Sequence, residues 1–487
     1  MWRRFARLQS AHAVTHPTSH VFNQRSPAAR MKTLVAPAAL LDDGWKSDVA
    51  IGIGDDGRIA TIEPDARSAP GERVKGPVVP AMANVHSHAF QRAIAGRTGV
   101  PSVERNDSFW TWRQAMYAAV ERLDADAFEA VAAQAYVEMA KAGYASVAEF
   151  HYVHHDPHGK PYADPAELAW RIVGAAETAE IGLTLLPVFY AHGDFAGAAS
   201  TPAQRRFVHS VYTFERLCEA LARGAIARHY VLGVAPHSLR AVTPQELAKI
   251  VRCAAADAPI HIHAAEQTRE VDDCCKWSGL RPVEWLLANA SVDARWCIVH
   301  ATHMTDREIA GLAASGAVAG LSPSTEADLG DGIFPGEAYL HAGGRFGVGS
   351  DSNTMIDPFA ELRQLEWSQR LRLRRRNVMA RSADVPVGET LWRAAAQGGA
   401  HALGLAAGRL APGMRADLIV LDADDPALVE QPVANVLDAA IFGPCRHPVR
   451  DVMSGGRWIV RDGHHAREQD VMRRFRAALA RIRPGAA

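Results

Sequence analysis

The sequence predicts an α/β fold: a (β/α)8 TIM barrel accompanied by a small β-sandwich domain built from both chain ends. Three observations lead there. Residues 79–405 alternate apolar strand-like runs with helix-like stretches, eight times over. The polar residues of these units gather where the apolar runs end, the face on which such barrels carry their sites. Short β patterns with tight turns flank this middle at 31–78 and 406–465. A doubly wound open sheet is the other α/β arrangement, and the absence of any phosphate loop counts against it.

Composition narrows the function. With 48% hydrophobic and 22% charged residues the chain can bury a substantial core. A formal net charge of −1 argues against nucleic acid or an acidic membrane surface as partner. No apolar run approaches the roughly 20 residues that span a bilayer. Cys218, Cys253, Cys274, Cys275, Cys297 and Cys445 form no CxxC pair, as expected of a reduced, cytoplasmic protein.

Residues 1–30 hold five arginines and no acidic residue. An organelle transit peptide has that composition, but a β pattern starts directly at Lys32-Thr33-Leu34-Val35, so 1–30 is expected to lie outside the fold with Met31 as the natural start. Asp55-Asp56-Gly57 marks a hairpin between Val49–Gly54 and Arg58–Ile62. Gly52 and Gly54 belong to that hairpin, since no helix follows them. The run Gly408–Asp422, continued through Val449–Val460, supplies the second half of the small domain, and 466–487 reads as a C-terminal helix. Within the barrel, strands are expected to end near His88, His151, His192, His237, Glu266, Ala301, Ser324 and Asp351. Asp124–Ala142, Pro244–Ala256 and Asp306–Ala314 carry helical period.

The first strand, Val79–His88, ends in His-x-His. Alternation places His86 and His88 on one face, converging on one pocket. A third ligand comes from Pro259-Ile260-His261-Ile262-His263-Ala264-Ala265-Glu266. His263 is the expected one, although a straight strand would put His261 on the same face. Asp351, closing the apolar run Phe346–Ser350, offers a carboxylate. Three imidazoles and one carboxylate suit one divalent ion, Zn²⁺ first, with Fe²⁺ and Mn²⁺ also accepted. Such an ion lowers the pKa of a bound water to about 7, and the resulting hydroxide is the expected nucleophile. Glu266 is placed to shuttle its proton. His300, at the end of Trp296–His300, can steady the developing oxyanion together with Asp351. The barrel is therefore of the metal-dependent hydrolase type.

His86-x-His88, His263-x-x-Glu266, His300 and Asp351, in that order on strand ends, resemble the amidohydrolase superfamily, in its one-metal branch of deaminases and chlorohydrolases. The resemblance spans about 31–465 and includes Pro412–Asp422. Two-metal relatives place a carboxylated lysine at the end of strand four, whereas this chain has Val234-Ala235-Pro236-His237-Ser238 there, which favours one ion. His86-Ser87-His88-Ala89-Phe90-Gln91-Arg92 and Asp107-Ser108-Phe109-Trp110-Thr111-Trp112-Arg113, with Tyr152 and His237-Ser238-Leu239-Arg240, are similar to the formimidoylglutamate deiminases. That likeness implies hydrolysis of N-formimidoyl-L-glutamate to N-formyl-L-glutamate and ammonia in histidine breakdown, by a homodimer. A substrate with two carboxylates calls for arginine, which binds them bidentately. Arg113 and Arg240 are the expected clamps, helped by Gln91 and Tyr152, with His237 at the formimidoyl end and Arg92 and Arg97 as further cations. Guanine, cytosine or adenosine deaminases share the metal core, and Trp110 or Trp112 could stack on such a ring. A non-catalytic barrel would have lost its ligands. His154, His155 and His158 read as a loop over the pocket mouth, His303 as structural and His192 as a residue that can reach substrate. Cys274-Cys275 reads as inert, and Arg370–Arg376 as a solvated helix face.

Overall fold

A computed structural model describes residues 31–99, 101 and 107–482. The extension 1–30, Asn106 and the last part of the expected C-terminal helix, 483–487, lie outside the described residues. The barrel strands are β1 (Met82–Ser87), β2 (Tyr144–His151), β3 (Gly182–Phe189), a broken β4 (Val231–Leu232 and Ala235–Pro236), β5 (Ile260–Ala264), β6 (Trp296–His300), β7 (Val318–Leu321) and β8 (Arg345–Val348). All pair in parallel, β1 to β4 as one sheet and β5 to β8 as another. Isolated parallel bridges close the ring: Val234 to Ile260 and Ser238 to His263 on one seam, Ser87 to Asp351 on the other. The strands are apolar throughout because a barrel buries both faces of its sheet; every residue of β2 is buried.

Helices follow the strands with legible start and stop signals. Ala125–Ala142 is capped by the Asp124 carboxylate, which accepts from the Ala127 N–H at 2.7 Å, and ends at Gly143 with φ of 105°. Pro244–Val251 opens on a Thr243–Glu246 capping box. It stops short of the expected Ala256, and the chain turns over 252–258 to enter β5. β3 ends at Phe189, so His192 falls beyond the strand.

Strands from both ends of the chain form the second unit, a single nine-stranded sheet. Lys32–Leu41 pairs antiparallel with Gly44–Ile53, and Gly44–Ile53 with Ile59–Glu63 across the Asp55-Asp56-Gly57 turn. Leu418–Leu421 joins Val78–Pro80, the strand leading straight into β1. Leu34, Ile51, Ile59, Leu418 and Met453 belong to a core of its own. The helix Glu468–Ile482 lies against Ala125–Ala142, pinned by Lys141 and Glu468 at 2.5 Å. Among the described residues no helix is long and apolar enough to cross a membrane.

Candidate metal centre and pocket

The ends of β1, β5 and β8 bring four ligand atoms together. His86 Nε2 lies 3.1 Å from His88 Nε2 and 3.0 Å from His263 Nε2. Asp351 Oδ1 is 3.5 Å from His86 Nε2 and 3.4 Å from His88 Nε2. His88 Nδ1 donates to the Phe150 carbonyl at 3.1 Å, and His263 Nδ1 to the His237 carbonyl at 3.0 Å. A carbonyl only accepts, so both rings carry their proton on Nδ1 and turn a bare Nε2 inward. Bare nitrogens beside a carboxylate repel one another unless a cation lies among them. Donors at 2.0–2.1 Å from a tetrahedral ion stand about 3.3 Å apart, which is the spacing found. The residues fit a divalent ion.

Electrostatics keeps the set deprotonated. Burial, with His86 adding, holds the His88 imidazole down at about 3. Burial alone would raise the Asp351 carboxyl, but the imidazoles of His86, His88 and His300 around it hold it well below the carboxylate range. His261 is excluded: its Nε2 is hydrogen-bonded to the Ala402 carbonyl at 2.8 Å.

Backbone interlocking fixes these side chains. Asp351 N–H donates to the His86 carbonyl at 2.9 Å and His88 N–H to the Asp351 carbonyl at 3.0 Å. Asn353 Nδ2 also reaches the His88 carbonyl at 3.0 Å. Three strand ends enter the left-handed region at non-glycine residues: Ala265 at φ 54°, His300 at 68° and Asp351 at 41°. Such conformations cost of order 1–3 kcal/mol each and persist where the surroundings over-determine them.

Glu266 stands between two cations, with Oε2 3.7 Å from Arg240 Nη2 and Oε1 3.6 Å from His300 Nε2. Burial lifts its carboxyl to about 7 against the pull of His300 and Arg240. Burial would depress the His300 imidazole, but Glu266, Glu326 and Asp351 raise it to about 10.

Above this floor opens a small pocket of about 60 Å³. His88, His263, Glu266, His300 and Asp351 line it together with Gln91, Arg113, Tyr152, His237 and Arg240. His86 lies beneath, fully buried. Gln91 and Arg113 come from the segment after β1, on the 3-10 turn Ala89–Ile94 and the helix Phe109–Val120. Gln91 Nε2 donates to Tyr152 Oη at 3.0 Å, leaving its Oε1 buried without a partner, as is Arg240 Nε. Guanidinium groups occupy the Trp110 ring, Arg113 and Arg269 at 4.6 Å and Arg240 at 5.8 Å.

Several sequence expectations are corrected. His192 binds Glu246 at 2.8 Å, away from the pocket lining. Arg92 is held by Glu138 at 2.7 Å, and Arg97 is exposed. His154 and His155 are no mouth loop: the first is buried, the second half-buried, and each bonds a carbonyl at 2.9 Å, of Val188 and Val208. Sequence reasoning passed over Tyr117, Tyr190 and Phe207 in the pocket wall, and three carboxylates behind it. Glu326 faces His300 Nδ1 at 3.4 Å. Asp331 lies beyond Glu266. Glu149 accepts the Ala89 N–H at 2.8 Å, just after the first ligands; a lone charge in an apolar strand was the signal for it.

An amidohydrolase family model matches residues 78–459. A model described as the N-terminal domain of formimidoylglutamate deiminase HutF matches 31–76. The chain is 51% identical over 452 residues to the formimidoylglutamate deiminase of Pseudomonas aeruginosa, covering 93% of this chain and all of that one. The 5-methylthioadenosine/S-adenosylhomocysteine deaminase of Natronomonas pharaonis is 28% identical over 390 residues, 79% of this chain and 81% of that one. A crystal structure of an amidohydrolase from Brucella melitensis superposes with a TM-score of 0.87 at 47% identity, covering 93% of this chain and 99% of that one.

Proposed function

The chain belongs to the amidohydrolase family, in its formimidoylglutamate deiminase branch, and on that footing we propose that it hydrolyses N-formimidoyl-L-glutamate to N-formyl-L-glutamate and ammonia. The observation that carries this reading is the placement of Arg113 and Arg240 in one pocket with Glu266, His300 and the ligand cluster. The substrate pairs two carboxylates with an amidine, and the pocket pairs two guanidiniums with a catalytic floor. Arg240 lies beside Glu266, so it suits the α-carboxylate, which is only a few bonds from the reacting carbon. Arg113, on the helix at the mouth, suits the side-chain carboxylate. Gln91 Oε1 and Tyr152 are placed for the substrate's N–H groups and carboxylate edge.

A divalent ion held by His86, His88, His263 and Asp351, Zn²⁺ by its donor set, supplies Lewis acidity and a water of lowered pKa. Glu266 takes a proton from the attacking water and hands it to the nitrogen that leaves as ammonia. His300, held protonated by its carboxylate neighbours, donates to the oxygen as negative charge develops there. His237 presents its ring to the formimidoyl end, and Asp351 helps to steady the tetrahedral species. Water adds to the formimidoyl carbon, the carbon–nitrogen bond to the terminal nitrogen breaks, and the N-formyl group remains on glutamate.

Of the two tryptophans that could stack on a nucleobase, Trp110 is covered by guanidinium groups and lies outside the pocket lining, which leaves Trp112. The deciding measurement is ammonia release with N-formimidoyl-L-glutamate beside guanine, cytosine and adenosine. Turnover of the first alone is expected; turnover of a nucleobase instead would overturn the reading of the pocket wall. A homodimer working in the cytoplasm completes the reading, and sedimentation velocity at micromolar concentration checks the dimer.

A further inference from the structure

Asp331 has no part in the reaction just described, yet its position is closely determined. It follows the helix Pro323–Leu329 beyond β7. Its N–H donates to the Glu326 carbonyl at 2.9 Å, and its carbonyl accepts from His303 Nε2 at 2.9 Å. The next residue, Gly332, has φ of +144°, and a Cβ there would meet the His303 ring at 3.0 Å, so the turn requires glycine. The Gln267 amide donates to Asp331 Oδ1. Oδ2 is buried with no partner, an unfavourable state for a carboxyl oxygen that is 5% exposed with its residue.

Ligand atoms of Glu266, His300 and Asp331, all buried, lie within 4.8 Å of one another. His300 turns Nδ1 to Glu326 Oε1 at 3.4 Å and Nε2 toward Glu266 Oε1 at 3.6 Å. A carboxylate behind one ring nitrogen, with ligand atoms around the other, is the usual setting of a metal-binding histidine. Asp351 faces both clusters. Its Oδ1 is turned to His86 and His88, while its Oδ2 lies 4.0 Å from His300 Nε2.

We propose that Glu266, His300 and Asp331 form a second divalent-cation site, joined to the three-histidine site through Asp351, and that an ion bound there stops turnover. One imidazole and two carboxylates suit Zn²⁺ or Mn²⁺. With one imidazole against three, this site fills only when free metal exceeds what the first site requires. The ion takes the Glu266 carboxylate and the His300 Nε2 out of proton transfer, so occupancy and catalysis exclude each other. The inhibitory effect rests on the deiminase reading, whereas the site itself does not.

Protein holding one equivalent of Zn²⁺ is dialysed against rising free Zn²⁺, and bound metal and turnover of N-formimidoyl-L-glutamate are measured on the same samples. The wild type is expected to take up a second equivalent as turnover falls at least tenfold. Asp331→Asn is expected to stay at one equivalent over that range, to turn over normally without excess metal, and to need at least tenfold more Zn²⁺ for the same inhibition. A wild type inhibited at one equivalent overturns the proposal, as does a variant that takes up the second ion at the wild-type concentration. Should the variant not fold, zinc-edge anomalous scattering from wild-type crystals grown with excess Zn²⁺ decides. A second peak among the three residues supports the site, and its absence sinks it. A protein inert toward this substrate, yet binding a second equivalent only when Asp331 is present, keeps the site and removes the deiminase reading.

Discussion

The floor and the wall of the pocket are built by different means. At the floor, His86, His88 and Asp351 stand on strand ends whose backbones bond one another across the β1–β8 seam, and the His263 N–H donates to the His237 carbonyl across the other, with left-handed residues fixed at the turns. At the wall, Arg113 comes from a helix in the long β1–β2 connection and is steadied by an aromatic ring, at 4.6 Å from Trp110. The floor is thus set by main-chain geometry that one substitution cannot redesign, while the wall is set by side chains on loops and short helices. A fold organised this way can keep one reaction while changing what it recognises.

Four perturbations probe that contrast, taken from the largest expected effect. Removal of the ion with a chelator should abolish turnover and lower Tm by roughly 10 °C, since a ligand bound to the native state alone stabilises by mass action. An unchanged Tm would mean that the floor holds itself together without a cation. Glu266→Gln should keep the metal, measured by elemental analysis, and lose about 10³-fold in kcat; wild-type activity in that variant would remove Glu266 from proton transfer. At the wall, Arg240→Ala should cost about 3 kcal/mol, roughly a hundredfold in kcat/KM and mostly in KM. Arg113→Lys, which keeps the charge and loses the fork, should raise KM roughly tenfold. A fall in kcat alone in either arginine variant would erase the distinction between floor and wall.

The smallest effect concerns the support beneath the floor. Burial pushes the Glu149 carboxyl up to about 8, against about 4.3 in an unfolded chain. Between those values the native state binds more protons than the unfolded one, so the stability this group contributes is complete below the lower value and is lost as pH rises through the upper. The wild-type Tm should therefore fall more steeply between pH 5 and 8 than that of Glu149→Gln, by a few degrees; parallel curves would mean that Glu149 is already ionised.

The floor was legible in the sequence because strand alternation projects His86 and His88 the same way, and because an apolar run ending in a polar residue is itself a barrel-strand signature. Eight strands followed from that pattern, with the ends expected at His192, Ser324 and Asp351 each three residues beyond the observed Phe189, Leu321 and Val348. His192 was misjudged because β3 stops at Phe189 and the loop beyond turns the ring to Glu246. Glu326 and Asp331 were not legible: they reach His300 and Glu266 only through the course of the chain after β7, which no local period encodes. Tyr190 and Phe207 enter the pocket wall by the same kind of long-range placement.

The two seams also bear on how the molecule assembles. Residues 82–236 form one half-sheet and 260–348 the other, each from neighbouring strands in chain order. Each half can form early, because its contacts are comparatively local, while joining the halves is the slow, long-range step. His86 and His88 belong to the first half, His263 and Asp351 to the second. A functional centre therefore exists only once both seams have closed, and binding of the ion reports the completion of folding.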